Sequence, residues 1–196
     1  SDGTIYASDS AAPAIYRLRP TDDRPRPFAG NSVFSGLRGI ALSEDESRLY
    51  VADYDLGVFF FELGEQPKGF ALGIPENLNL GGIDGLYQWD GHLVVIQNGV
   101  TPQRVLRLEL DESGTRVANI ATMAKALPAF DDPTFGTVAG DDLLLLARSH
   151  WQRVGPDGRP VAPPLPEVPV LRLSIEEATN TVVGEEMLEQ LKQRQE

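Results

Sequence analysis

Residues 38–63 read RGIALSEDESRLYVADYDLGVFFFEL, and this stretch decides the fold class. Its short runs rich in Val, Leu, Phe and Tyr are separated by turn residues, a pattern typical of antiparallel β-strands. The pattern recurs in residues 84–110, which read DGLYQWDGHLVVIQNGVTPQRVLRLEL. A third unit begins TFGTVAGDDLLLLARSHW at residue 134 and resumes VLRLSI at residue 170. The chain is therefore predicted to be all-β and internally repeated.

The repeat has a length that favours one architecture. Equivalent positions of successive units, at Gly39, Gly85 and Phe135 and again at Asp9, Asp53 and Asn98, lie 44 to 50 residues apart. About four strands in a unit of this size are typical of one blade of a β-propeller. The start of the chain matches the middle of a unit whose first strand is missing. We therefore expect an incomplete propeller segment of about four blades, with a closed four-bladed ring as the alternative.

The predicted domain organisation follows these units. A partial blade covers residues 1–35, full blades cover 36–80, 81–130 and 131–183, and a short helix covers 184–196. The predicted strands are Thr4–Ser8, Ala14–Arg19, Gly39–Ser43, Leu49–Asp53, Val58–Leu63, Gly69–Leu72, Gly85–Trp89, Leu93–Gln97, Val105–Leu110, Val117–Thr122, Phe135–Val138, Leu143–Ala147 and Val170–Ile175. The helix carries a narrow apolar stripe, which suits a surface helix or, alternatively, a partner-binding helix.

Composition excludes several function classes. The 196 residues include 17 basic and 29 acidic ones, for a net charge of −12, which disfavours binding to nucleic acid and to anionic membranes. No apolar run is long enough to insert into a membrane. The absence of cysteine excludes disulfides and thiolate chemistry, and His92 and His150 are too few for a multi-histidine zinc site. A divalent cation would need oxygen ligands, which favours calcium, magnesium or manganese.

The compartment stays open between cytoplasm and periplasm or secretion. Residues 1–6 lack the basic and then apolar pattern of a signal peptide, so we expect that no targeting peptide is present in this chain.

Blade geometry predicts where a site would lie. In a propeller, the start of each innermost strand and the end of each second strand meet at one face of the central channel. Arg38, Asp84 and Thr134 occupy the first kind of position, and Asn98 and Arg148 occupy the second. We expect Arg38, Asp84, Asn98 and Thr134 to surround a channel mouth that binds a small polar molecule.

Each of these residues also has a purely structural interpretation. Arg38 offers a planar fork of donors for a carboxylate or phosphate, but it could instead pair with Asp84 and merely neutralise the channel. Asp84 could serve as a turn residue, and Asn98-Gly99 is a common tight-turn pair. Ser149 and His150 are adjacent on a strand and point to opposite faces, which disfavours a nucleophile pair.

Four phrases of the chain together carry a family resemblance. They read GIALSEDESRLYVADY, GIDGLYQWDGHLVVIQNG, RVLRLEL and FDDPTFGTVAGDDLLLLARSHW. In combination they resemble the gluconolactonase/senescence-marker-protein superfamily, which also includes strictosidine synthase-like proteins and is related to NHL repeats. The resemblance extends to about Ile175 and implies a six-bladed propeller, of which about two blades lie outside this sequence. It also implies hydrolysis of a lactone or ester, assisted by a divalent metal that polarises the carbonyl and activates water.

The resemblance assigns the metal and catalytic role to Asp84, within the Asp84-Gly85 pair. It implies Asn where this chain has Arg38, Thr134 and Arg148, and a Glu from a blade that this sequence lacks. These departures weaken the metal prediction, although one of Asp131 and Asp132 could join Asp84 in holding a cation.

A proline-rich insertion, residues 151–169, interrupts the last unit and reads WQRVGPDGRPVAPPLPEVP. It is expected either to lie passively on the surface or to cover the channel, with Trp151 as an aromatic wall.

Two function classes remain. One is a gluconolactonase-like protein that binds a small polar ligand and hydrolyses it with metal assistance. The other is a non-catalytic propeller that acts as a ligand-binding or protein-interaction scaffold.

Overall fold

The computed structural model describes residues 2–30, 32–162 and 164–181, and these form an all-β structure of four sheets. The first sheet contains β1 (Ile5–Asp9), β2 (Ala14–Leu18) and β3 (Arg26–Gly30). The second contains β4 (Leu37–Leu42), β5 (Arg48–Asp53), β6 (Gly57–Glu62) and β7 (Lys68–Ala71). The third contains β8 (Ile83–Trp89), β9 (His92–Gln97), β10 (Arg104–Leu110) and β11 (Val117–Lys125). The fourth contains β12 (Gly136–Ala139), β13 (Asp142–Leu146) and β14 (Val170–Ser174).

Within each sheet, consecutive strands pair antiparallel in chain order. A last strand, β15 (Thr179–Thr181), leaves this order and pairs with β11 at the outer edge of the third sheet. The insertion between β13 and β14 contains one 3₁₀ turn, Trp151–Arg153. Among the described residues, no helix is long and apolar enough to cross a membrane.

The central strands form because both of their faces are buried. In β9, Leu93, Val94, Val95 and Ile96 are fully buried, and β-branched residues suit such a two-sided environment. The turn before β9 uses Asp90 and Gly91, both at positive φ, which matches the twist of a tight hairpin.

The sheets stack face to face in chain order and share three apolar clusters. One lies between the first and second sheets around Leu37 and Phe61, one between the second and third around Leu86 and Leu93, and one between the third and fourth around Leu143. Each sheet is covered by its neighbour, which is how propeller blades bury their core.

Two glycines allow the inner strands to approach closely. A Cβ atom on Gly39 of β4 would overlap the backbone nitrogen of Leu86 in β8, and one on Gly85 would lie 3.0 Å from the carbonyl oxygen of Thr134. The equivalent residue of the fourth sheet is Phe135, which is largely exposed.

The prediction of an all-β, incomplete propeller is confirmed, and the number of blades in a closed ring stays a prediction. The sequence did not predict β3, whose Pro27 is unfavourable in a strand interior, or the short β15. The helix expected at 184–196 lies outside the described residues.

Candidate functional site

A cavity of about 900 Å³ opens where the four sheets meet at the heads of the inner strands. Its walls combine Ser8 and Ser10 of the first sheet, Arg38 and Tyr54 of the second, Asp84 and Asn98 of the third, and Asp132, Thr134, Phe135, Trp151 and Gln152 around the fourth. Residues up to about 140 positions apart in the sequence therefore share one concave surface, which is the usual shape of a small-molecule site.

Two β-bulges aim the charged residues into this cavity. The pairing of β8 with β9 skips Asp84 between Ile83 and Gly85. The pairing of β4 with β5 likewise skips from Leu37 to Ile40, so Arg38 lies outside the regular ladder. A bulge re-aims side chains in this way and is common beside functional sites.

The first sheet satisfies backbone groups at one of the bulges. The Ser8 hydroxyl donates to the carbonyl oxygen of Arg38 at 2.6 Å, and the Ser10 hydroxyl donates to that of Leu37 at 2.7 Å. Buried carbonyls that leave a ladder need such replacement donors. The two serines therefore fix the backbone that carries Arg38.

A continuous polar network joins the predicted residues. Arg38 Nε lies 3.3 Å from Asp84 Oδ1, and Asn98 Nδ2 donates to Asp84 Oδ2 at 2.6 Å. The same Asn98 nitrogen lies 3.4 Å from Thr134 Oγ1, and the Tyr54 hydroxyl donates to Asn98 Oδ1 at 3.3 Å. Arg38, Asp84, Asn98 and Thr134 are thus brought together at one cavity.

The two side chains of the Arg38–Asp84 ion pair differ in solvent exposure. The Asp84 side chain is 13% exposed, whereas the Arg38 side chain is 40% exposed and lies over the Tyr54 ring at 5.4 Å. Burial, together with the carboxylates of Asp84 and Asp132, raises the pKa of Tyr54. Its hydroxyl therefore stays protonated at neutral pH and remains a donor to Asn98.

The two remaining predicted residues have different positions. Trp151 lines the cavity at the 3₁₀ turn of the insertion and is 63% exposed. Arg148 is not among the described residues that line the cavity. Its Nε lies 3.2 Å from Asp131 Oδ2, and its Nη1 donates to the carbonyl oxygen of Glu167 at 2.8 Å, so it fastens the insertion to the preceding loop.

Sequence reasoning missed the specific parts that Tyr54, Gln103 and Gln152 play in this network. Gln103 Nε2 donates to Asp132 Oδ1 at 2.8 Å, and Gln152 Nε2 donates to Asp132 Oδ2 at 3.2 Å. Tyr54 carried a weak signal, because it directly follows the strand end at Asp53, but no spacing links the two glutamines to Asp132.

The donor set of the cavity does not fit a divalent metal ion. Both oxygens of Asp84 are taken by Arg38 and Asn98, and both oxygens of Asp132 by the two glutamines. Residues 2–30, 32–162 and 164–181 contain no group of three or more His, Asp or Glu that could hold such an ion. A guanidinium 3.3 Å from the main carboxylate also opposes a second positive charge there.

The fold and the cavity define this chain as a segment of a β-propeller with a polar pocket at its channel mouth. In fold, it is similar to luciferin-regenerating enzyme, at 16% identity and a TM-score of 0.56 over 87% of this chain and 54% of that one. It is also similar to a gluconolactonase from Xanthomonas campestris, at 20% identity and a TM-score of 0.50 over 74% of this chain and 50% of that one.

These similarities confirm, at the level of the fold, the resemblance to gluconolactonase-like propellers. This chain spans about half the length of both structures. No family model and no curated protein matches the sequence.

Proposed function

We propose that this chain binds a small polar molecule in the cavity at the strand heads. The observation that carries the proposal is the convergence of Arg38, Tyr54, Asp84, Asn98 and Thr134 on one cavity of about 900 Å³. A space of this volume suits a small ligand, and convergent polar groups among aromatic walls fix a ligand's orientation.

The network is arranged for recognition because its members already hold one another. Asp84 and Asn98 satisfy most of their hydrogen-bonding capacity within the protein, so they act as a rigid base. Arg38 and Trp151 present their remaining surface to the cavity, whereas Thr134 lines it but is almost fully buried. A preorganised site loses less conformational entropy when a ligand binds, which favours affinity.

Tryptophan fluorescence tests this proposal directly. Trp89→Phe leaves Trp151, on the cavity wall, as the single tryptophan. We expect its emission to shift on titration with at least one member of a panel containing glucono-δ-lactone, sodium gluconate and choline chloride. The shift should be lost in Asn98→Ala, whereas Asn119→Ala, in the third sheet away from the cavity, should preserve it. A panel that leaves the emission unchanged at millimolar concentration would contradict binding at this cavity.

Metal-assisted hydrolysis of a lactone or ester is the second candidate. The similarity in fold to a gluconolactonase and the position of Asp84 at a strand head favour it. The described donor set does not supply the ligands, so the proposal for this chain stops at binding. Hydrolysis of glucono-δ-lactone stimulated by calcium, manganese or magnesium and abolished by Asp84→Asn would replace binding with catalysis.

A further inference from the structure

Three charged side chains line the cavity among the described residues, namely Arg38, Asp84 and Asp132. Arg38 and Asp84 neutralise each other through their ion pair. Asp132 is therefore left as the uncompensated charge of the cavity wall, which makes the lining negative by one unit.

The groups around Asp132 orient its carboxylate without neutralising it. Its two oxygens accept hydrogen bonds from the neutral amides of Gln103 and Gln152, and its backbone carbonyl accepts one from the Thr134 hydroxyl at 3.0 Å. The nearby arginines, Arg148 and Arg153, are directed to Asp131 at 3.2 and 3.9 Å. The carboxylate of Asp132 is thus held in place by neutral donors and keeps its negative charge, which attracts an organic cation without direct ligation.

The backbone at Asp132 adopts an uncommon conformation. Asp132 adopts φ = 57°, a left-handed conformation that is uncommon outside glycine and that Asp and Asn tolerate best. Asp132 lies between Asp131, whose carboxylate contacts Arg148 and Arg153, and Thr134, which lines the cavity.

Aromatic rings complete the wall. Phe135 and Trp151 line the cavity and are 58% and 63% exposed, so much of each side chain is accessible to a ligand. Tyr54 is already covered by the Arg38 guanidinium. Exposed rings attract cations through their quadrupole, most strongly in the case of tryptophan.

We propose that the cavity recognises a small organic cation, an amine or quaternary ammonium group, with Asp132 as counter-charge and Trp151 and Phe135 as aromatic walls. This inference rests on the proposed binding function and specifies the charge of its ligand. The net charge of −12 adds a long-range attraction for the same class of molecule.

Choline and its uncharged isostere 3,3-dimethylbutan-1-ol provide the test, because they share a shape and differ in charge. Isothermal titration calorimetry of the full chain at low ionic strength should give an affinity for choline at least about tenfold higher than for the alcohol. Equal affinities for the two compounds would overturn the inference while leaving binding of a polar molecule intact. If neither these compounds nor the lactone and carboxylate of the panel bind, the proposed function itself fails.

Single-residue variants test which side chains provide the selectivity for choline over the uncharged alcohol. Asp132→Asn removes the charge and keeps a residue that tolerates positive φ, so the fold should persist and choline affinity should fall about tenfold. Trp151→Ala should lower choline affinity by a similar factor. Asp157→Asn, a matched charge change on the exposed insertion, should leave affinity unchanged. Undiminished choline binding by Asp132→Asn, with a circular dichroism spectrum like that of the parent, would overturn the role of Asp132.

Discussion

At the scale of single residues, the acidic side chains at strand ends divide into structural and cavity-facing groups. Asp53 is fully buried and accepts hydrogen bonds from the backbone and hydroxyl of Ser35 and from the backbone nitrogens of Gly36, Asp55 and Leu56. It closes the loop between the first and second sheets. Asp84, with its guanidinium and amide partners, instead faces the cavity.

The pH dependence of stability should report on Asp53. Burial alone would raise the pKa of Asp53, but the hydrogen bonds from Ser35, Gly36 and Leu56 outweigh burial and lower it. Because the folded-state pKa lies below the unfolded value of about 3.9, the carboxylate contributes its full stability above that pH. The contribution is lost as the pH falls through the folded-state pKa.

We therefore expect Asp53→Asn to lower the free energy of unfolding at pH 7 by about 1–3 kcal/mol. The difference from the parent protein should narrow in acid, below about pH 4. Urea denaturation at pH 7 and at pH 3 measures both quantities. Asp157→Asn, an exposed matched change, should have no effect, and a difference for Asp53→Asn that is independent of pH would contradict the assignment.

At the scale of elements, the contact between inner strands depends on glycine. Gly39→Ala would place a methyl group on the Leu86 backbone, where rigid strands on both sides resist movement. We expect a loss of about 1–3 kcal/mol in the free energy of unfolding, measured by urea denaturation. Gly36→Ala, three residues earlier, adds a methyl group that meets no atom within 4 Å and should change stability by less than about 0.5 kcal/mol. Equal effects of the two substitutions would show that the approach of β4 to β8 is not limiting.

The elements also show how far sequence reasoning extends. The strands around Leu49–Asp53 and Leu93–Gln97 were predicted because an unbroken apolar run between turn residues has few other solutions. The bulges at Arg38 and Asp84 were not predicted, because a bulge depends on the register between two strands, which one strand's sequence does not show. The repeat placed Arg38, Asp84, Asn98 and Thr134 at one opening, but it could not show that the two glutamines hold Asp132, since their contact depends on loop conformation.

At the scale of the whole molecule, the two end sheets differ from the middle ones. In the fourth sheet, Leu146 and Val170 are cross-strand partners, and both are exposed and point away from the core. The first sheet likewise exposes Ile5. Apolar surface of this kind favours association with another apolar surface.

We expect the 196-residue chain to self-associate as its concentration rises, as measured by size-exclusion chromatography with light scattering. Val170→Lys should weaken that association by about tenfold, because it places a charge within the apolar face. Val161→Lys makes the same change at an exposed position of the insertion, outside the strands of the fourth sheet, and should have no effect. A parent chain that stays monomeric throughout, or equal effects of the two lysines, would contradict this role of the end sheet.

The bulged strand heads have a consequence for how such a cavity diversifies. Arg38 and Asp84 stand outside the register that holds their sheets together, so a change of side chain there leaves the ladder hydrogen bonds of β4 and β8 in place. Because Arg38 and Asp84 hold each other, ligand preference can then change through paired substitutions at these two positions while the strand pairing is kept. A laboratory selection for new specificity would do best to randomise these two codons together with those of Asp132 and Trp151.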